Sequence, residues 1–72
     1  MQKRLLVLAA GILQLPVIKK AKELGIYVIA ADGNPNAVGL KYADKALVVN
    51  ITSEEEVLRV LRDERIDGVI HP

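Results

Sequence analysis

The sequence has no cysteine, no tryptophan, no phenylalanine and only one histidine. Without thiols there is no disulfide framework and no thiolate metal centre, and a single imidazole leaves any side-chain metal site to carboxylates alone. An excess of one charge is also missing, because ten Lys and Arg against nine Asp and Glu give a formal net charge of +1. That balance cannot grip a phosphate backbone, and only Tyr27 and Tyr42 could stack on bases, so no nucleic-acid partner is expected. No apolar run approaches the ~20 residues that cross a bilayer. The basic start at Lys3 and Arg4 leads into no signal-type core with a cleavage site, so no membrane partner is expected and the expected location is the cytoplasm.

What is present is 72 residues, 51% hydrophobic and 26% charged. Area scaling allows one small domain with a folded surface of roughly 4,400 Å², burying about 60% of what the unfolded chain exposes. Residues 5–9 and 26–31 are apolar runs without alternation, the pattern of strands covered on both faces of a parallel sheet. Between them Leu13, Val17, Ala21 and Leu24 recur at helical spacing, with Lys19, Lys20, Lys22 and Glu23 opposite. Pro16 suits the first turn of that helix, and Gly25 suits a left-handed residue closing it. Residues 33–44 have loop composition, with one helical turn possible over 40–43, and residues 46–49 form a short third strand. Ser53 followed by Glu56 is a capping box opening a second helix. Its apolar stripe is Val57, Leu58, Val60 and Leu61, and Arg59, Arg62 and Arg65 face water. Asp67 and Gly68 then turn the chain into a fourth strand at Val69 and Ile70.

This alternation predicts an α/β, Rossmann-like parallel sheet of about four strands in the order 3-2-1-4, with helices on both faces. Two helices cannot cover four strands, so part of each face and the fourth-strand edge should stay bare and invite association with a second copy or a larger chain.

The loop after the first strand, Ala9-Ala10-Gly11-Ile12-Leu13-Gln14, lies where such sheets bind anions through backbone amides at a helix start. Only the middle glycine of a dinucleotide fingerprint is present, since Ala9 and Gln14 occupy the outer places. Asp32 ends the second strand about 20 residues further on, where a ribose-binding acid stands in dinucleotide folds. It reads equally as a turn former bonding the amides of Gly33 and Asn34. Asn34-Pro35-Asn36 reads as turn chemistry, Gln14 as a loop brace or a substrate contact, and His71 as a solvent-facing histidine. No nucleophilic triad, metal-ligand pair or Walker loop occurs, so no catalytic residue is assigned.

Residues 5–16, Gly25 to Asp32, Asn34-Pro35-Asn36-Ala37, Lys41-Tyr42-Ala43-Asp44 and Ile66-Asp67-Gly68-Val69 together resemble the N-terminal domain that precedes the ATP-grasp fold in carboxylate-amine ligases. That family includes carbamoyl-phosphate synthase large chains, biotin carboxylases and purine-pathway ligases. The resemblance implies a Rossmann-like domain whose first loop holds a substrate phosphate or carboxylate through backbone amides. It places ATP and magnesium on a separate ATP-grasp domain, where an acyl phosphate forms and an amine captures it.

Carried onto this sequence, the substrate-side residues are Gly11, Ile12, Leu13, Gln14 and Asp32, with no cofactor or metal held by the chain itself. Ala9 departs from a common glycine. Ile12 departs from a polar side chain found in several purine-pathway members, which leaves only its backbone amide to carry over. The resemblance further implies that residues 1–72 are the first part of a longer, catalytic protein, with the ATP-grasp domain beyond them. The alternatives are a free-standing α/β module for a mononucleotide or other small anion, and a self-associating structural module.

Overall fold

Four short apolar runs become the strands of one parallel sheet in the computed structural model, which describes residues 2–71. They are β1 (Arg4–Leu8), β2 (Tyr27–Asp32), β3 (Lys45–Val48) and β4 (Gly68–Ile70), and the order is β3-β2-β1-β4, as the alternation predicts. Register pairs Leu6 with Ile29 and with Val69, and Val7 with Ala30 and with Ile70. Successive side chains therefore divide between two faces. On one face Val7, Val28 and Ala30 pack with Ile18 and Ala21 of α1 (Leu15–Glu23) and with Ala37 and Leu40. On the other, Leu6, Ile29 and Ala31 pack with Val60 and Leu61 of α2 (Glu54–Asp63). The two crossovers lie on opposite faces, as right-handed connections leaving β1's neighbourhood in opposite directions require.

The helix ends follow from their residues. Pro16 sits in the first turn of α1, and Gly25, at φ +81°, closes the helix. The Gly25 amide donates to the Lys22 carbonyl and the Ile26 amide to the Ala21 carbonyl, both at 3.0 Å, the two bonds of a Schellman motif. At α2 the Ser53 side-chain oxygen accepts from the Glu56 amide at 3.3 Å. The return half of the capping box is displaced: Glu56 accepts from the Asn50 amide (3.2 Å), because the Ser53 amide already donates to the Asn50 carbonyl. Asp44 is fixed by Val28 on both sides, its carboxylate accepting from the Val28 amide (2.7 Å) and its own amide donating to the Val28 carbonyl (2.9 Å).

Several expectations are corrected. The helical turn falls at Val38–Lys41, a 3-10 turn rather than residues 40–43, and β1 and β3 each begin one residue earlier than their apolar runs. Leu13 and Leu24 leave the stripe of α1, at 88% and 67% exposed, and Ile18 takes their place in the core. The first turn is a 3-10 segment over Ile12–Gln14, which changes the angular spacing that a continuous α-helix from Leu13 would have kept. Leu58 is likewise 57% exposed, so α2 buries Val60 and leaves Leu58 at the helix margin.

Candidate functional site

The chain runs from β1 to β2 and β3 on one side, then crosses back to β4 on the other, so the strand order reverses between β1 and β4. Ligands of open α/β sheets bind in the crevice beyond the carboxyl ends of the strands at such a reversal. Two adjoining depressions lie there. One, of about 520 Å³, is lined by Ala9, Gly11, Ile12, Leu13 and Gln14. The other, of about 470 Å³, shares Ala9 and adds Thr52, Glu54, Leu58 and His71 among its lining residues.

Gly11, Ile12, Leu13 and Gln14 are thus brought together on one loop. The first hydrogen bond of its 3-10 turn runs from the Gln14 amide to the Gly11 carbonyl at 3.0 Å, so the amides of Gly11, Ile12 and Leu13 precede it and are not consumed by the turn. The side-chain Nε2 of Gln14 is buried and has no acceptor among the described residues. An unpaired buried donor of this kind costs about 1–3 kcal/mol until something satisfies it. Ile12 and Leu13 expose their side chains, at 67% and 88%, so the loop offers polar backbone flanked by apolar surface.

The demanding conformation of this loop belongs to Ala9. Gly11 is extended (φ −72°, ψ −177°) and a Cβ added there meets nothing within 4 Å, so no glycine is required. Ala9 has φ +70°, a left-handed conformation that costs a non-glycine residue roughly 1–2 kcal/mol. The backbone around it is held from both sides. The Ala9 amide donates to the Ala31 carbonyl (2.8 Å), the Ala10 amide to Asp32 Oδ2 (2.7 Å), and the Ala10 carbonyl accepts from the Gly39 amide (2.7 Å). A Cβ on Gly39 would lie 2.7 Å from that same carbonyl oxygen and 2.9 Å from Ile18 Cδ1.

Asp32 is therefore a turn former in a sense broader than its neighbours suggest. Oδ1 accepts from the Asn34 amide at 2.8 Å, while Oδ2 goes to Ala10 on the other loop; the expected bond to the Gly33 amide is replaced by that long-range one. Asn34 repeats the motif, its Oδ1 accepting from the Asn36 amide at 2.9 Å, which places Asn34-Pro35-Asn36 in the turn chemistry read from the sequence.

Thr52 and Glu54 are crevice residues that reading the chain segment by segment does not single out, and His71, read there as solvent-facing, joins them. The signal was available, since the order 3-2-1-4 already puts the ends of β1 and β4 side by side. His71 is exposed, as expected of it, yet it also lines the second depression. No three His, Asp or Glu side chains gather at metal-binding distance among the described residues, and both oxygens of Asp32 hold backbone amides.

No family model matches the chain. A formate-dependent phosphoribosylglycinamide formyltransferase of Prochlorococcus marinus (strain MIT 9515) is 32% identical over 69 residues, which cover 96% of this chain and 18% of that protein. The crystal structure of phosphoribosylglycinamide synthetase from Anaerococcus prevotii superposes with a TM-score of 0.86 at 41% identity, over 99% of this chain and 18% of that one. Glycinamide-RNase-transformylase T from Mycobacterium tuberculosis gives a TM-score of 0.90 at 29% identity, over 96% of this chain and 20% of its own. The chain thus spans about a fifth of the proteins it matches. In sequence and in fold, these residues correspond to the N-terminal, Rossmann-like domain of the ATP-grasp ligases.

Proposed function

We propose that residues 1–72 form the substrate-side domain of an ATP-dependent carboxylate-amine ligase, and that they hold the phosphate or carboxylate of a small substrate without catalysing its reaction. The observation that carries this reading is the loop at the strand-order reversal. It combines three amides outside the turn's hydrogen bonding with a buried, unpaired Gln14 Nε2, in a domain related to those of enzymes with phosphoribosylated substrates in their names. An anion placed there would accept from the Gly11, Ile12 and Leu13 amides at the positive end of α1, and Gln14 would gain its missing acceptor. Asp32, the fifth residue that the resemblance points to, lies behind the loop with its carboxylate on the Ala10 and Asn34 amides. ATP and magnesium would be held by the ATP-grasp domain of the longer protein, which supplies the acyl-phosphate chemistry and joins carbon to nitrogen.

Titration of the ¹⁵N-labelled chain with inorganic phosphate and with acetate tests the reading. The amides of Gly11, Ile12 and Leu13 should shift first, with a dissociation constant of about 1–10 mM, because isolated amides and a dipole supply little binding energy. The affinity should fall as salt rises. Shifts that begin elsewhere, or none up to tens of millimolar anion, would leave the loop a plain strand-to-helix connection.

A further inference from the structure

Asp32 stands where dinucleotide folds keep an acid for a ribose, yet its carboxylate is turned to another task. Each oxygen carries a short bond from a backbone amide, Oδ2 from Ala10 at 2.7 Å and Oδ1 from Asn34 at 2.8 Å. The Ala10 bond crosses from the end of β2 to the loop after β1, and it lands one residue beyond Ala9, whose φ of +70° a non-glycine residue resists. The carbonyl of the same Ala10 is held by the Gly39 amide at 2.7 Å. Asp32 and Gly39 therefore clamp the Ala10 backbone on its two polar groups, immediately before the three amides assigned to the anion.

We propose that Asp32 is a positioning residue: its carboxylate pins the Ala9–Ala10 backbone in the turn that sets the path of the Gly11–Leu13 loop, and it does not touch the ligand. The inference rests on the anion-site reading above and deepens it. Binding falls as the fraction of chains with a correctly turned loop falls, so loss of the pin weakens every anion alike, whether or not it carries a ribose. An asparagine keeps one acceptor oxygen but turns an NH₂ group toward one of the two backbone amides, so it cannot hold both. A glycine at position 9 adopts positive φ without strain, so the turn then needs the pin less.

The test compares wild type, Asp32→Asn, Ala9→Gly and the double variant of the full chain, each titrated with inorganic phosphate and with AMP. Asp32→Asn should weaken both ligands by a similar factor, about ten-fold, and Ala9→Gly in the same chain should restore most of the loss. Should the single variant fail to fold, the double variant against Ala9→Gly makes the same comparison, with equal small losses for the two ligands as the expected result. Weakening of AMP with phosphate unchanged would make Asp32 a ribose contact and overturn the proposal, as would a double variant no better than Asp32→Asn. A ligand-free arm separates this proposal from the site reading. Asp32→Asn should accelerate hydrogen exchange at the Ala10 amide, and Ala9→Gly should slow it again. If wild type binds no phosphate but this exchange pattern holds, the site reading fails and the pin stands; an Ala10 amide indifferent to Asp32→Asn removes the pin whatever the anions do.

Discussion

At the scale of single residues, this loop inverts the usual expectation about alanine and glycine. Ala9 carries the left-handed turn, and Gly11, two positions on, has a backbone that any residue adopts. Ala9→Gly should therefore raise stability by roughly 0.5–1 kcal/mol, the relief of strain less the extra entropy glycine has in the unfolded chain. Gly11→Ala should be neutral or slightly stabilising, by at most about 1 kcal/mol, because its Cβ enters open space. Gly39→Ala should cost about 2 kcal/mol or more, since its Cβ would press on a backbone oxygen that Asp32 and the sheet keep from moving. Urea unfolding of the three variants gives the ranking, and a Gly11 variant less stable than a Gly39 variant would contradict this account of the loop.

At the scale of elements, the helix ends carry local energy that the sheet does not share. Ser53→Ala removes the one side-chain cap of α2 and should lower stability by about 1 kcal/mol. Hydrogen exchange at Glu56 should rise with it, because that amide loses its acceptor. A wild-type rate at Glu56 in the variant would show that the cap is not formed in solution. The amino end of the sheet is tied differently. Glu64 accepts from Arg4 at 3.2 Å and from Lys45 at 2.7 Å, and Arg4 lies 4.6 Å from the Tyr27 ring centroid, so one carboxylate joins the end of α2 to β1 and to β3. Helix boundaries and caps were legible in the sequence from Pro16, Gly25 and Ser53. The burial stripe of α1 was legible at Val17 and Ala21 but not at Leu13, because the 3-10 turn over Ile12–Gln14 rotates Leu13 out of register with the helix that follows.

At the scale of the molecule, β4 leaves one edge of the described sheet unpaired. Val69 on β4 is 41% exposed, and an apolar groove runs between α1 and the β4 side of the sheet, lined by Leu5, Pro16, Val17, Leu24 and Ile70 among others. An unpaired edge beside such a groove favours association, so the melting temperature of the isolated chain should rise with protein concentration. Val69→Lys should abolish that dependence by placing a charge at the edge. Sedimentation across the same concentrations checks it, and a wild-type chain monomeric throughout would show that the bare edge is tolerated. Under the proposed function, in which the ATP-grasp domain of the longer protein holds ATP and magnesium, the chain alone should release ADP from ATP at no more than background in the presence of magnesium. Turnover above background that a substitution within these residues removes would overturn the non-catalytic reading.

The sequence by itself determined the class of fold, the strand order and the place of the candidate loop, because apolar runs, helical spacing and the handedness of crossovers are properties of neighbouring residues and of chain geometry. The motifs at 5–16, 25–32, 34–37, 41–44 and 66–69, taken together, likewise pointed to the ligase domain with which the chain proves homologous. The task of Asp32 was decided only in three dimensions. Its bond to Ala10 spans 22 positions and exists because β1 and β2 are adjacent and in register, Leu8 beside Ala31. The same holds for Gly39, which meets Ala10 across the fold, and for Thr52, Glu54 and His71, which share a crevice through the reversal of strand order. Local patterns specify what each segment becomes. Which backbone group a carboxylate finds depends on how segments distant in sequence are packed together, and that is set by burial and register across the sheet.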